Sequence, residues 1–317
     1  MSRDHGGNLD WARSRWGGSD WIDLSTGINR VPYPVGELSA AAWTALPGQG
    51  AQARLIEAAR SAYRTRAPIV ALAGAQAAIQ LLPRLTRPSL ARVVAPTYNE
   101  HAATLGAEGW HVEEVQDLSA LASAELAVVV NPNNPDGHFW HPEALLELLP
   151  RVGRLVVDES FADPVPELSL APMAGREGLV VLRSFGKFYG LAGLRLGFAL
   201  GCEADIAAVQ RMAGPWPVPG PALEIGARAL GDAGWHHQTT ARLSQEVPRM
   251  DEIALRFGWQ VVGGTHLFRL YDTPDAAAAQ DRLARKAIWS RIFPWSPRWI
   301  RLGLPGNEAE WQRLKAA

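Results

Sequence analysis

The sequence predicts an α/β protein in which a mainly parallel sheet forms a large domain and a smaller C-terminal α+β domain follows. Two observations support this fold class. Between residues 69 and 200, short apolar runs alternate with helix-compatible segments, which is typical of a parallel sheet covered by helices on both faces. After Gly201, long helical stretches precede a few short strand candidates, which is typical of an α+β domain.

Each predicted element follows from a local pattern along the chain. Apolar runs bounded by turn residues predict the strands, and longer stretches without proline predict the helices. Pro47-Gly48 ends the first helix, and Gly234 and Pro248 are candidate break points in the last. The predicted helices are 36–46, 51–63, 74–85, 203–212 and 222–257. The predicted strands are 69–73, 92–95, 111–115, 126–130, 155–157, 179–182, 196–200, 259–262, 267–271 and 299–302.

The chain divides into three predicted parts. Residues 1–30 form an N-terminal arm, because turn-rich pieces flank a single short apolar run there. Residues 31–213 form the large domain, and residues 214–317 form the small one. The linker between these domains is predicted at 213–221, a segment too rich in proline to be a helix or a central strand.

Composition excludes several classes of protein. The 317 residues carry 31 basic and 32 acidic side chains, so the net charge of -1 gives no electrostatic reason to expect a nucleic-acid or membrane partner. The only cysteine is Cys202, which leaves no internal disulfide and makes a reducing cytoplasm the expected location. Residues 1–16 carry no apolar leader, and no metal site is predicted.

Distinctive residues follow several predicted strands at their carboxyl ends. Ligands of parallel sheets bind at that edge, so residues that follow different strands are expected to meet there. The residues that mark these strand ends are Gly74, Pro96, Asn131, Asp158 and Ser184. A single ligand site at this edge is therefore predicted.

A glycine-rich loop, 184–197, contains the most reactive candidate. Lys187 lies in this loop, and an unprotonated amine can form a Schiff base with an aldehyde. Ser184 and Arg195 flank it and are suited to holding an anion, the arginine as a planar fork. The loop therefore indicates covalent chemistry beside an anion site.

Two further strand ends add chemistry to this site. Gly74-Ala75-Gln76 opens a helix, whose exposed N–H groups and positive dipole end suit a phosphate. Asp158 ends an otherwise hydrophobic strand, where burying a carboxylate costs free energy unless a cation pairs with it. A protonated ring nitrogen is such a cation.

Taken in this order, these segments resemble the aspartate-aminotransferase superfamily of pyridoxal-phosphate (PLP) enzymes, fold type I. The resemblance covers nearly the whole chain. It implies that Lys187 binds the cofactor aldehyde as a Schiff base and that Asp158 pairs with the pyridine nitrogen, which makes these two residues the catalytic candidates. It also implies these cofactor contacts: Asn134 with the 3-oxygen, Tyr98 stacked on the ring, and Ala75, Gln76, Ser184 and Arg195 at the cofactor phosphate. Arg301 matches the arginine that receives a substrate carboxylate.

The arm resembles a narrower family. His5-Gly6-Gly7-Asn8 and the segment 21–29 are similar to the threonine-phosphate decarboxylases of cobalamin biosynthesis, which are relatives of the histidinol-phosphate aminotransferases. This resemblance implies that the arm folds over the active site, with His5, Gly6 and Asn29 near the substrate phosphate. It also implies a homodimer with active sites near the subunit interface.

Some residues depart from the aminotransferase pattern. Phe161 replaces a usual tyrosine, so the hydroxyl that would bond the cofactor 3-oxygen is missing. Leu46 replaces a tyrosine that reaches the neighbouring subunit's cofactor in relatives. Both changes argue against efficient amino transfer. Asp136 and Arg30 also depart from common residues, and the sequence assigns them no consequence.

The predicted function is PLP-dependent decarboxylation of L-threonine O-3-phosphate to (R)-1-amino-2-propanol O-2-phosphate. One alternative is an aminotransferase acting on a phosphorylated amino compound such as histidinol phosphate. Another is a non-catalytic protein of the same fold that serves in binding. The presence of Lys187, Asp158 and Arg195 together argues against that last alternative.

Overall fold

A computed structural model describes residues 5–317. The helices are α1 (Leu9–Trp16), α2 (Ala40–Thr44), α3 (Gln49–Ala62), α4 (Ala75–Leu81), α5 (Glu100–Ala107), α6 (Pro142–Leu146), α7 (Phe185–Phe188), α8 (Glu203–Ala213), α9 (Gly220–Gly231), α10 (Ala233–Arg256), α11 (Ala276–Ala284) and α12 (Glu308–Lys315). The strands are β1 (Ile22–Asp23), β2 (Ile69–Leu72), β3 (Leu90–Val94), β4 (His111–Val115), β5 (Leu126–Val130), β6 (Arg154–Asp158), β7 (Leu179–Ser184), β8 (Gly197–Leu200), β9 (Gln260–Gly264), β10 (Phe268–Asp272), β11 (Ile288–Trp289), β12 (Arg291–Phe293) and β13 (Ser296–Gly303).

The chain forms two compact units. The large unit comprises Tyr33–Asn134 and His138–His236. The small unit comprises the residues up to Pro32, Pro135–Gly137 and His237–Ala317. The N-terminal arm therefore belongs to the same unit as the C-terminal segment.

The large unit is built on a seven-stranded sheet with the order β2-β8-β7-β6-β5-β3-β4. Strands β3 to β7 pair in parallel, whereas β8 is antiparallel to both of its neighbours, β2 and β7. Every residue of β5 is buried, as expected for a central strand covered on both faces. The predicted α/β class with a mainly parallel sheet is confirmed.

The carboxyl ends of β2, β3, β5, β6 and β7 lie at one edge of this sheet. A short connection follows each strand and leads into a helix, a turn or a short helical segment. Gly74, which precedes α4, has φ of +81°, a conformation that favours glycine. These connections carry the residues of the predicted site.

The small unit contains a four-stranded antiparallel sheet with the order β12-β13-β10-β9. The arm adds β1, which pairs in parallel with β11, so that Ile22 lies opposite Ile288. Four tryptophans of this unit pack together, with ring centroids 5.4 to 6.3 Å apart: Trp11, Trp16, Trp21 and Trp289. In the part of the chain from residue 5 onward, no helix is both long and apolar enough to span a bilayer.

The compact units do not follow the predicted domain boundaries. The sequence places the boundaries after residues 30 and 213, whereas the contacts place them after Pro32 and His236. The reason lies in α9, which packs on α3 within the large unit. A Cβ added to Gly226 of α9 would lie 2.9 Å from Leu55 and 2.5 Å from Leu196, so the two helices approach closely. The proline-rich segment 213–221 therefore connects parts of the large unit.

Pro248 does not break α10. It lies inside this helix of 24 residues. A proline removes the one backbone bond that its missing N–H would donate, here to the carbonyl of Ser244. Leu243, Met250 and Ile253 are buried on either side of it, so packing of the apolar face continues through the proline.

Candidate active site

A cavity of the large unit lies at the carboxyl edge of the seven-stranded sheet. The chain segments that line it follow β2, β3, β5, β6 and β7 or precede β8. All of the predicted cofactor-binding residues line this cavity: Ala75, Gln76, Tyr98, Asn134, Asp158, Ser184, Lys187 and Arg195. The structure therefore brings together side chains that are far apart in the sequence.

One end of the cavity is a cradle for an anion. The guanidinium of Arg195 lies against the backbone that opens α4, since a Cβ added to Gly74 would be 2.9 Å from its Nη2 atom. The strand β8 passes equally close, because a Cβ on Gly197 would lie 2.3 Å from the backbone nitrogen of Ala75. Ser184 lines the same cavity. A side chain at Gly197 would meet fixed backbone, and one at Gly74 would push the guanidinium away from the start of α4.

Lys187 lies in α7, directly after β7. Its Nζ atom is 5.7 Å from the centroid of the Phe161 ring, which is 4% exposed. The amine therefore lies over an apolar aromatic face at a distance at which a cation is still attracted by the ring. At this position the cavity is thus lined by the apolar ring of Phe161, which lacks the hydroxyl of the usual tyrosine.

Asp158 is buried at the end of β6 and is hydrogen-bonded on both oxygens. His101 Nε2 lies 2.9 Å from Oδ2, and the Ser160 hydroxyl and amide donate to Oδ1 at 2.5 and 3.0 Å. Burial acts to raise the pKa of Asp158, but the hydrogen bonds and charge of His101 and the bonds from Ser160 outweigh it, so the pKa is lowered. The carboxylate is therefore ionised at neutral pH although it is buried.

His101 is a residue of the site that the sequence reasoning missed. It is 3% exposed and lies in α5, in the segment that follows the carboxyl end of β3. The signal was a histidine three residues after Tyr98, on a segment already placed at the ligand edge. From the sequence, a partner for Asp158 was expected only from a ligand, whereas His101 of the same chain is hydrogen-bonded to it.

Tyr98 is held by a chain of hydrogen bonds. Its hydroxyl donates to Oε1 of Gln76 at 3.2 Å, and Nε2 of Gln76 donates to the carboxylate of Glu100 at 2.9 Å. Glu100 is 6% exposed. Because both ends of the Gln76 amide are engaged, its side chain and the tyrosine ring are held in fixed positions beside the cavity.

A buried ion network lies behind the ends of β6 and β7. Arg183 donates to Glu159 at 2.9 Å and to Asp163 at 2.8 Å. Glu159 also accepts from the Ser169 hydroxyl and the Leu170 amide, at 2.5 and 2.6 Å. Burial raises the pKa of Glu159, and Arg183 offsets this only in part. The network joins the two strand ends that carry Asp158 and the loop of Lys187.

The predicted substrate-binding residues His5, Gly6, Asn29 and Arg301 belong to the small unit. Arg301, in β13, donates through Nη2 to the carbonyl oxygen of Ser25 at 2.7 Å. The Ser25 hydroxyl accepts from the amide of Gly7 at 2.7 Å, and a Cβ on Gly6 would lie 2.5 Å from the Ser25 carbonyl oxygen. The turn at Ser25 therefore brings the glycines of the arm together with Arg301.

His5 lines a second cavity of the small unit. Gly6, Ser290 and Arg291 line it as well. Asn29 has a different neighbour, since its Oδ1 accepts from Nη2 of Arg242 at 2.7 Å. The structure thus divides the predicted substrate residues between the Ser25 turn, this cavity and the contact with Arg242.

Arg291 is another residue that the sequence reasoning missed. It lies directly opposite Arg301 in the pairing of β12 with β13. Burial and the charge of Arg291 lower the pKa of Arg301 to about 9, so Arg301 is still cationic at neutral pH. Two cations on adjacent strands favour an anionic ligand, because such a ligand relieves their repulsion. Strand pairing was needed to see this, since β12 was not predicted.

Comparisons with known proteins agree with this architecture. A sequence profile of the aminotransferase class I and II family matches residues 38–317. The threonine-phosphate decarboxylase of Pseudomonas aeruginosa is 43% identical over 99% of this chain and 96% of its own length. The threonine-phosphate decarboxylase of a Sinorhizobium species is 40% identical over the same shares of both chains.

A solved structure shares the fold across almost the whole chain. The histidinol-phosphate aminotransferase of Sinorhizobium meliloti, solved in complex with pyridoxal-5'-phosphate, superimposes with a TM-score of 0.87 at 20% identity. The match covers 97% of this chain and 92% of that one. With the profile match and the two full-length relatives, these findings show that the chain belongs to the aminotransferase class I and II family.

Proposed function

We propose that this protein is a PLP-dependent carboxy-lyase that converts L-threonine O-3-phosphate to (R)-1-amino-2-propanol O-2-phosphate, a step of cobalamin biosynthesis. The observation that carries this proposal is the similarity to two threonine-phosphate decarboxylases over 99% of the chain, a match long enough to include the arm. The arm carries the residues on which the narrower resemblance to these decarboxylases rests. The cavity of the large unit supports the same chemistry.

The residues of this cavity fit pyridoxal phosphate. The cofactor has an aldehyde, a phosphate and a ring nitrogen, and the cavity offers an amine, a guanidinium cradle and a buried ionised carboxylate to match them. The cradle is the clearest evidence, because a single Cβ at Gly74 would collide with the guanidinium of Arg195. When bound, the cofactor accepts the electron pair released when a bond at the substrate Cα breaks.

The residues of the large unit bind and orient this cofactor. Lys187 would hold it covalently through Nζ, and the same amine, when free, would carry a proton to the substrate Cα, a role that a tyrosine could also fill. Asp158 would stabilise a proton on the ring nitrogen. Asn134 would donate to the 3-oxygen, and Tyr98 would stack on the ring.

The phosphate of the cofactor is held by the cradle. The backbone N–H groups of Ala75 and Gln76 would donate to it at the start of α4, the Ser184 hydroxyl would donate a further bond, and Arg195 would supply the neutralising charge. Gln76 therefore has two roles, since its side chain also fixes the Tyr98 hydroxyl.

The residues of the small unit bind the anionic groups of the substrate. Arg301 receives the carboxylate, and its lowered pKa supports this role because a bound anion relieves the repulsion from Arg291. His5, the glycine N–H groups at Gly6 and the Asn29 amide bind the phosphate. Threonine phosphate carries both a carboxylate and a phosphate, whereas histidinol phosphate lacks the carboxylate.

The choice of bond depends on how these anions are held. With the cofactor bound, the residues that hold the carboxylate and the phosphate would decide which bond at the substrate Cα is oriented for cleavage, and therefore whether CO2 leaves. Phe161 favours decarboxylation, because it cannot donate a hydrogen bond to the 3-oxygen as a tyrosine would. A one-way loss of CO2 tolerates this loss better than a reversible amino transfer does.

Product analysis tests the proposal. Purified protein with PLP is given threonine phosphate alone in one reaction and histidinol phosphate with 2-oxoglutarate in another. We expect CO2 and aminopropanol phosphate in the first reaction and little glutamate in the second. Glutamate in the second reaction without CO2 in the first would identify an aminotransferase instead.

We further propose that the protein is a cytoplasmic homodimer. Trp43 in α2 and Leu46 just after it are 69% and 68% exposed, and Leu46 lines a cavity together with residues of α2, α3 and α9. Large exposed apolar side chains grouped in this way are typical of a protein interface. The balanced net charge and single cysteine support a cytoplasmic location without a nucleic-acid or membrane partner.

A further inference from the structure

A chain of two hydrogen bonds connects a wall of the large unit's cavity to a buried carboxylate. Tyr98 and Gln76 line this cavity together with Lys187. The Tyr98 hydroxyl lies 3.2 Å from Oε1 of Gln76, and Nε2 of Gln76 lies 2.9 Å from Oε2 of Glu100. Glu100 is the first residue of α5 and is 6% exposed. The chain therefore runs from the aromatic wall, through the side chain of Gln76, to Glu100.

The carboxylate of Glu100 sets the orientation of the Gln76 amide. A carboxylate accepts hydrogen bonds and does not donate them, so the atom of Gln76 that faces it must be the amide nitrogen. The amide oxygen then faces Tyr98 and, because this oxygen cannot donate, the phenol supplies the proton of that contact. With the amide reversed, two acceptors would face each other at Glu100. One orientation of Gln76 is thus favoured, and it holds the Tyr98 hydroxyl.

The Tyr98 ring has a second neighbour that is itself fixed. The imidazole of His101 lies edge-on to the ring, with ring centroids 6.2 Å apart. His101 is in turn hydrogen-bonded to the buried carboxylate of Asp158 at 2.9 Å. The ring is therefore held at its hydroxyl by Gln76 and at its side by His101. The contact at the hydroxyl is the one that depends on Glu100.

We propose that Glu100 is a positioning residue for the cofactor, an inference that rests on the proposed function for the identity of that cofactor. Glu100 orients the Gln76 amide and, through it, holds the Tyr98 ring where the ring of PLP would stack. A side chain that is already ordered loses less conformational entropy when a ligand binds, so the affinity for the ligand is higher. PLP affinity thus depends on a carboxylate that acts through Gln76 and not on the cofactor itself.

Positioning and simple electrostatics predict opposite effects when this carboxylate is removed. PLP carries an anionic phosphate, which would be seated on the backbone N–H groups of Ala75 and Gln76, so the charge of Glu100 repels it. By charge alone, Glu100→Ala would bind PLP more tightly than wild type. Positioning predicts weaker binding, and we expect the dissociation constant to rise about tenfold, since a hydrogen bond to a charged group is lost. PLP is titrated into apo protein and followed by absorbance. Tighter or unchanged binding would overturn the inference.

A double-mutant cycle tests whether the effect passes through the tyrosine hydroxyl. Tyr98→Phe keeps an aromatic ring but removes the bond to Gln76. In this background, Glu100→Ala should raise the dissociation constant for PLP by less than about twofold, because no hydroxyl is left to hold. A tenfold rise that persisted in this background would show that Glu100 acts independently of Tyr98, and would refute positioning.

Two other variants give the same test if Glu100→Ala does not fold. Gln76→Leu removes the connecting amide but keeps the backbone N–H groups at the start of α4. It should weaken PLP binding about tenfold in the wild-type background and less than about twofold in the Tyr98→Phe background. Glu100→Gln still offers an oxygen to Nε2 of Gln76, and its PLP affinity should lie within about threefold of wild type. Wild-type affinity in Gln76→Leu, or a tenfold loss in Glu100→Gln, would contradict the inference.

Loss of an acidic residue from the first turn of a helix needs its own control. Glu203 is an exposed acidic residue in the first turn of α8, in the same unit. Glu203→Ala should bind PLP as wild type does. A tenfold loss of affinity there would show that the effect does not require the hydrogen-bond chain, and would refute the inference.

This inference and the proposed function fail in different ways. PLP affinity is measured without any reaction, whereas release of CO2 from threonine phosphate by the holoenzyme tests the decarboxylase assignment. If the wild type released no CO2 but the cycle showed coupling between Glu100 and Tyr98, the assignment would fail while the inference stood. If CO2 were released but the effects of Glu100→Ala and Tyr98→Phe on PLP binding were additive, the inference would fail while the assignment stood.

Discussion

Replacing Gly74 with alanine should damage cofactor binding by more than it damages the fold. Gly74 has φ of +81° and ψ of 164°, a region of backbone conformation that is almost restricted to glycine. Forcing another residue into it costs about 1–3 kcal/mol. The apo form of Gly74→Ala should lose roughly that much stability, which for a unit of this size lowers the Tm by about 2–4 °C for each kcal/mol.

The effect on the cofactor has a separate cause. The new Cβ would lie 2.9 Å from Nη2 of Arg195 and 3.3 Å from its Cζ, so the flexible guanidinium must move away from the start of α4. Hydrogen bonds to a charged phosphate contribute about 1.5–3 kcal/mol, and losing one weakens binding about ten- to a hundredfold. We expect the dissociation constant for PLP to rise by that factor.

The assay is a titration of apo protein with PLP, followed by absorbance, together with thermal melts of both forms. Gly193→Ala is the matched control: it lies in the same loop as Arg195, and its Cβ would have no atom within 4 Å. It should bind PLP as wild type does. Wild-type PLP affinity in Gly74→Ala would refute the cradle, as would an equal loss in an Arg195→Ala background, where the displaced group is already gone.

Three further predictions concern the site and the assembly. Lys187→Ala should abolish the yellow colour of the purified protein, and borohydride treatment of wild type should attach the cofactor to Lys187; a label found on another lysine by mass spectrometry would contradict this. His101→Phe should raise the pKa of Asp158, since His101 helps to lower it. On acidification, the ionised carboxylate is then lost at a higher pH than in wild type, so the acid limb of the pH profile of kcat should move to higher pH. An unchanged acid limb would refute the coupling between His101 and Asp158. Trp43→Glu should produce monomers, measured by light scattering, and these should have reduced activity. A wild type that is already monomeric and fully active would exclude an active site shared between subunits.

The sequence predicted two strands of the large unit with the bounds that the structure has, 111–115 and 126–130. The second is a central strand whose uninterrupted apolar run admits few other structures, whereas the first is an edge strand that carries two glutamates. The expected ligand edge followed from the order of the strands, and the cofactor-binding candidates that the family resemblance assigned at this edge line one cavity.

The features that the sequence did not predict depend on contacts between distant residues. β12 is three residues long and has no pattern of its own, so the pairing of Arg291 with Arg301 was invisible. The ionic partner of Asp158 was missed for a similar reason: His101 lies on a helix, and only the parallel order of β3, β5 and β6 brings it to that carboxylate. The large compact unit extends beyond residue 213 because packing at Gly226, which no local pattern encodes, holds α9 in it.

The antiparallel pairing of β2 with β8 has a consequence for synthesis of the chain. The phosphate cradle forms where Leu72 lies opposite Gly197. Its two parts, the start of α4 and the residues just before β8, are therefore far apart in the sequence. A ribosome makes the chain from its N-terminus, and an emerging chain that ends just before β8 contains Lys187 and Arg195 but lacks the strand that holds Arg195 beside α4. Such a chain therefore exposes the Lys187 amine before the proposed phosphate cradle is complete. If the cradle holds the cofactor as proposed, tight PLP binding requires β8 and marks a large unit whose sheet is complete.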